Sequence, residues 1–180
     1  MLSSQQSPHH TSHAFVIGLG SNLGARETYL TRAVEDIARL PETDVAALSQ
    51  VYETPPLGPP QPHYLNAAVR VTSALTPEQL LDGVLAIEAS HGRVRDVRWG
   101  PRVLDLDILW AATPYASERL TIPHAELRSR TFALAPLLDV APELAQQYAE
   151  TLQQLDDCLR ICGILVWHRA LQKCEYVAAL

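Results

Sequence analysis

Val103-Leu104-Asp105-Leu106-Asp107-Ile108-Leu109-Trp110 decides how this chain is read. Aliphatic residues dominate the stretch, so it reads as a strand over 103–110. Side chains alternate along a strand, which puts Asp105 and Asp107 on one face, about 7 Å apart. Acids inside so apolar a strand are costly unless something binds them. Just upstream, Arg93-Val94-Arg95-Asp96-Val97-Arg98-Trp99-Gly100-Pro101-Arg102 packs four arginines into ten residues. Their planar, permanently charged groups suit phosphate oxygens. Paired carboxylates for a hard cation such as magnesium, beside guanidinium groups for an anion, are the inventory of phosphoryl-type transfer. The competing reading is a solvated strand face with surface charges.

Three more strands and two helices lie before this stretch. Ala14 to Leu19 reads as a buried strand, broken by Gly20-Ser21-Asn22-Leu23-Gly24. Leu30, Ala33, Val34, Ile37 and Leu40 follow helical spacing between Glu27 and Leu40, and Pro41 ends the pattern. Val45 to Glu53 is expected as a second strand, stopped by the four prolines of residues 54–60, and Leu65 to Thr72 as a third. Thr76-Pro77-Glu78-Gln79 carries a helix start with cap, proline and capping-box glutamine, and Gly92 a stop. The order β-α-β-β-α-β predicts an α+β, ferredoxin-like antiparallel sheet with both helices on one face. Residues 120–180 read as mostly helical after a short extended piece at Thr121-Ile122-Pro123-His124, adding C-terminal helical elements.

The chain has 180 residues, 47% hydrophobic and 19% charged, enough for one globular domain over residues 14–180 with a disordered extension at 1–13. No apolar run is long enough to cross a bilayer, and the first thirteen residues lack the hydrophobic segment of a signal peptide. Three histidines in that start read as a loose terminus. The three cysteines, Cys158, Cys162 and Cys174, are odd in number, which argues for a reducing, cytoplasmic setting. Cys158 and Cys162 are expected on one face of a packed helix. A net charge of −6 disfavours nucleic acid as a partner. The local arginines suit a small anionic ligand instead.

Two residues look out of place. Glu88 falls on the helical stripe of Leu81, Val84 and Leu85, either as a partner within a ligand site or as a helix-end acid reaching solvent. Asn66 opens a strand beside Tyr64, where its amide suits a heterocycle edge or simply a turn. Gly18-Leu19-Gly20-Ser21-Asn22-Leu23-Gly24 has the wrong spacing for a dinucleotide fingerprint and reads as a tight turn before a helix.

Seven motifs together resemble one family. Phe15-Val16-Ile17-Gly18-Leu19-Gly20-Ser21-Asn22-Leu23-Gly24, Tyr52-Glu53-Thr54-Pro55-Pro56-Leu57-Gly58, Tyr64-Leu65-Asn66-Ala67, Gly92-Arg93, Arg98-Trp99-Gly100-Pro101-Arg102, Leu104-Asp105-Leu106-Asp107 and Ile122-Pro123-His124 resemble the 6-hydroxymethyl-7,8-dihydropterin pyrophosphokinases of folate biosynthesis. The resemblance runs in order from about Ala14 to Pro142. It implies transfer of the terminal pyrophosphate of ATP to the pterin hydroxymethyl group, releasing AMP. It further implies that Asp105 and Asp107 hold two magnesium ions, and that Arg93 and Arg102 serve the chemical step. Glu88, Arg95, Arg98, Ile108, Arg119, Thr121, His124 and Arg130 fall on the ATP side by the same resemblance. Tyr64 and Phe132 would stack the pterin and Asn66 would read its edge, with Thr54, Pro55, Pro56 and Leu57 around it. Trp99 would close over both ligands.

Some positions depart from the family pattern. Leu85 stands where glutamine is frequent, Ala125 where an aromatic residue can follow, and two loops are each one residue shorter. The tail from 159 to 180 has no counterpart in the resemblance and is expected as a packed helix or a self-association surface on an otherwise monomeric protein. A ligand-binding module without turnover, and an RNA-binding domain, are the readings from other classes. The retained acids and arginines argue against the first, the acidic charge against the second.

Overall fold

In the computed structural model, which describes residues 12–92, 100–152 and 160–179, the first apolar run forms strand β1 (His13–Ser21). It is followed by α1 (Arg26–Ala38), β2 (Thr43–Leu48), β3 (Gln50–Thr54), β4 (Tyr64–Ser73), α2 (Pro77–Ser90) and β5 (Asp105–Ala111). A short hairpin, β6 (Tyr115–Ala116) and β7 (Thr121–Ile122), leads to α3 (Thr131–Val140), a 3-10 turn at Pro142–Tyr148 and α4 (Ala149–Leu152). The described chain closes with β8 (Arg160–His168) and β9 (Lys173–Ala178). Among the described residues no helix is long and apolar enough to cross a membrane.

One seven-stranded sheet runs in the order β5-β1-β4-β3-β8-β9, with β2 also paired to β4, and its pairings are antiparallel. The expected sequence of elements from β1 to β5 is present. The Thr76 capping box forms as read: its hydroxyl accepts from the Gln79 amide, and the Gln79 side chain accepts from the Thr76 amide. α1 and α2 bury Leu30, Val34, Ile37, Leu80 and Val84 against Phe15, Ile17, Leu106 and Ile108 on one face of the sheet. Each such fully buried side chain contributes about 1.5–3 kcal/mol.

α1 and α2 thus share one face as expected, and an added C-terminal helix covers the other. α3 packs Leu134, Leu137 and Val140 against Val16, Ala68 and Leu109. Its last turn is pinned to β3: the Tyr52 hydroxyl donates to Asp139 at 3.0 Å, and the Gln50 amide donates to the same carboxylate at 2.9 Å. Burial and the neighbouring Asp139 charge raise the Tyr52 pKa well above the ordinary phenol value, so the donor stays protonated.

Two expectations fail for physical reasons. The strand read over 45–53 is two strands, because the Ser49 hydroxyl accepts the Ala68 amide at 2.7 Å and replaces a ladder bond. The ladder also shifts register between Val45 and Ala47. Among the described residues the tail is α-helical at 131–140 and 149–152. Residues 160–178 form a hairpin joined by a 3-10 turn at Arg169–Leu171, with Cys162 on β8 and Cys174 on β9. Ile161-Cys162-Gly163-Ile164-Leu165-Val166-Trp167 is a continuous run without a charged residue, and periodicity alone does not separate a strand from a helix there. Its β-branched and aromatic residues suit the strand. Cys158, the other member of the expected helical pair, lies outside the described residues.

Candidate active site

β1 sets the floor of the site. Its Gly20 pairs with Asn66 of β4 on one side and Asp105 of β5 on the other, and Gly18 pairs with Asp107. A Cβ on Gly20 would lie 3.5 Å from Asn66 Oδ1 and 3.7 Å from Asp105 Cβ, so the absent side chain leaves the space between them open. Leu104, just before β5, and Leu106 and Ile108 on it enter the core under α1 and α2. The alternation therefore turns Asp105 and Asp107 to the opposite face, as the sequence required.

There a cavity of about 680 Å³, counted with its open mouth, is lined by Gly20, Thr54, Pro55, Leu57, Gln61, Tyr64, Asn66, Gly100, Arg102, Asp105, Asp107, Arg130 and Phe132. A smaller one of about 400 Å³ shares Asn66, Asp105, Asp107, Arg130 and Phe132 and adds His124. The Asn66 amide donates to the Thr54 hydroxyl at 2.8 Å, which fixes the orientation of this buried group. Arg102 Nη1 lies 2.7 Å from both Asp105 oxygens. Burial lowers the Arg102 pKa, but Asp105, and behind it Tyr64 and Asp107, outweigh that and leave it above the ordinary arginine value. Arg130, just before α3, lies 3.8 Å from Asp107 and also pairs with Glu126.

Phe132, Tyr64 and Asn66 thus join the two aspartates, Arg102, Arg130, Thr54, Pro55 and Leu57 around one space. Other expected residues sit elsewhere. Pro56 lies beside this wall without lining either cavity. Ile108 is buried in the core on the far side of the sheet. Arg119 pairs with Glu78 and Asp82 of α2. Thr121 is exposed on β7, and Arg93, Arg95, Arg98 and Trp99 lie outside the described residues. Glu88 is 1% exposed, which excludes the reading as a solvent-reaching helix end. Its Oε1 accepts the Leu106 amide at 2.7 Å, behind the strand that carries the two aspartates.

Sequence reasoning missed Gln61 and Asn22. Asn22 is 1% exposed and joins the two walls of the cavity. Its side-chain amide donates to Gln61 Oε1 at 3.0 Å and to the Pro62 carbonyl at 3.1 Å. Its Oδ1 accepts the Arg102 amide at 2.7 Å, and its own amide donates to the Arg102 carbonyl at 3.0 Å. The only signal was an asparagine inside a glycine-rich break. Asn22→Ala removes the three hydrogen bonds of a buried side chain, a cost of about 3 kcal/mol and a drop in Tm of about 6–12 °C. Calorimetric melting checks this, and a Tm within about 2 °C of wild type contradicts it.

The acidic pair fits a magnesium ion of one kind only. Among the described residues no third His, Cys, Asp or Glu completes a protein cage. Two carboxylates facing a cavity with arginines on its rim match an ion that arrives with phosphate oxygens and keeps its waters.

The family model for 7,8-dihydro-6-hydroxymethylpterin-pyrophosphokinase matches residues 16–142. The chain belongs to this pyrophosphokinase family. A Methylorubrum extorquens 2-amino-4-hydroxy-6-hydroxymethyldihydropteridine pyrophosphokinase is 46% identical over 145 residues, covering 78% of this chain and 92% of that one. The Pseudomonas aeruginosa pyrophosphokinase is 45% identical over 130 residues, covering 71% and 80%. Among solved structures, a Plasmodium falciparum HPPK-DHPS superposes with a TM-score of 0.63 at 14% identity. It covers 95% of this chain, which spans about half (52%) of that longer one, and at such low identity it speaks for the fold alone.

Proposed function

We propose that this pyrophosphokinase-family chain transfers the terminal pyrophosphate of ATP to the hydroxymethyl group of 6-hydroxymethyl-7,8-dihydropterin, giving AMP and the pterin diphosphate. The single observation that carries this reading is the shared cavity. It sets two aromatic rings and an oriented amide beside two carboxylates and two arginines. A flat, polar-edged bicycle fits between Tyr64 and Phe132, with Asn66 reading its edge. The order β5-β1-β4 with β2 and β3 beyond is read as ferredoxin-like, residues 14–180 as one unit, and the cytoplasm as its location.

In the reaction the pterin hydroxyl oxygen forms a bond to the β-phosphorus of ATP. The bond from that phosphorus to the α–β bridging oxygen breaks, and the electron pair leaves with AMP. Asp105 and Asp107 would hold magnesium, two ions by resemblance, which when bound would neutralise charge on the phosphate oxygens. Arg102 and Arg130 direct their guanidinium groups to the cavity and offset the negative charge that builds on the leaving and transferring oxygens. His124, in the adjoining cavity, is placed to donate to the same phosphates. Asp105 stands across Gly20 from Asn66, which supports reading it, ahead of Asp107, as the carboxylate that would take the carbinol proton. The rest of the rate comes from alignment, which phosphoryl chemistry rewards.

An omission series tests this. AMP is expected only when ATP, the pterin and magnesium are all present, in a one-to-one ratio with pterin consumed. AMP release independent of the pterin sinks the reading.

A further inference from the structure

The C-terminal hairpin has no part in the reaction as derived, yet it is joined to the wall on which the pterin is proposed to rest. β8 covers the edge of β3, with Glu53 opposite Arg160 in the register. The Cys162 thiol donates to the Val51 carbonyl at 3.4 Å, and the Tyr176 hydroxyl holds the Cys162 carbonyl at 2.6 Å. Glu53 is the junction. One carboxylate oxygen pairs with Arg160 of the hairpin, and the other accepts from Arg26 of α1 at 3.0 Å. Arg26 also donates to the His63 carbonyl at 2.7 Å.

These contacts sit at both roots of the proline-rich loop, residues 55–63. Glu53 immediately precedes Thr54, which orients Asn66, and His63 immediately precedes Tyr64. Among the described residues that loop makes no main-chain-to-main-chain hydrogen bond outside helices and strands, so its position depends on side chains: Asn22 at Gln61 and Pro62, and Arg26 at His63. Arg160, and behind it Arg26, hold the Glu53 carboxyl below the usual carboxylate range against the opposing effect of burial. The ionised state the brace needs therefore persists at neutral pH.

We propose that Glu53 is a positioning residue for the pterin wall and that the hairpin, through Arg160, is its outer brace. Glu53 and Arg160 touch no reacting atom and act through Thr54, Arg26 and the loop roots. The proposal rests on the pterin reading of the cavity, so its consequence is confined to pterin affinity. A hairpin that served stability alone would weaken both substrates together through loss of folded protein.

The test is calorimetric binding of 6-hydroxymethyl-7,8-dihydropterin to the full chain, with magnesium and a non-hydrolysable ATP analogue present. Glu53→Gln keeps the shape and removes the charge. It is expected to weaken pterin binding about five- to tenfold, with nucleotide affinity and the saturated single-turnover rate within about twofold. Arg160 is 72% exposed, so Arg160→Ala is expected to cost only about two- to fourfold, restored by Arg160→Lys. Pterin affinity unchanged in both variants overturns the proposal, as does an equal loss of nucleotide affinity. Should Glu53→Gln fail to fold, the Arg160→Ala and Arg160→Lys pair decides alone. AMP release by the wild type, measured alongside, separates these outcomes from failure of the functional reading itself.

Discussion

Asp107→Ala is expected to lower magnesium-dependent AMP release by about 10³-fold or more, equivalent to about 4 kcal/mol of barrier. Asp107 faces the cavity from β5 and lies 3.8 Å from Arg130. Removing it halves the acidic pair and leaves Arg130, still paired with Glu126, with less counter-charge at the cavity. The aromatic and amide wall stands on β4 and α3, so pterin affinity should stay within about threefold of wild type. Rapid-quench measurement of AMP, with pterin binding by fluorescence, reads both halves. Wild-type turnover refutes the metal assignment, and a joint loss of pterin binding points instead to collapse of the cavity.

Arg102→Ala carries the second large effect, an expected fall of about 10²–10³-fold in the single-turnover rate. Arg102 enters the cavity with its main chain clamped by Asn22 and its guanidinium against Asp105. Deleting the side chain removes a preorganised positive charge and, with it, the bond from Arg102 to Asp105. The lost attraction for phosphate and the lost competition for one carboxylate oppose each other, so affinity for magnesium-ATP should move less than the rate. Arg102→Lys keeps a point charge and loses the fork, and should recover about tenfold of the deficit. An Arg102→Ala variant whose rate stays within about threefold of wild type removes Arg102 from the chemical step.

Much of this site was legible because its logic is local. Asp105 and Asp107 need only a strand and a period of two to share a face, and β5 supplies both. Thr76 and Gln79 form a cap whose partners are three residues apart. Resemblance points to Tyr64, Asn66 and Phe132, and β4 with α3 brings them to one cavity. What escaped depends on contacts between distant segments. Asn22 meets residues 39, 40 and 80 positions away, so its role as a tie between two walls had no local signature. The hairpin at 160–178 was read as helix because a continuous apolar run fits either state. Its strand character comes from pairing with β3, more than 100 residues earlier in the chain. Arg119 has partners of its own that no local pattern indicates, Glu78 and Asp82 of α2, about 40 residues earlier.

Phosphorus NMR of ATP incubated with the full chain, magnesium and 6-hydroxymethyl-7,8-dihydropterin probes the central claim most directly, because it reports which phosphorus is attacked. The account predicts that the β- and γ-resonances move together onto the pterin carbinol while the α-phosphorus appears as AMP. Accumulation of ADP with a pterin monophosphate, or of free inorganic phosphate without a pterin ester, contradicts it.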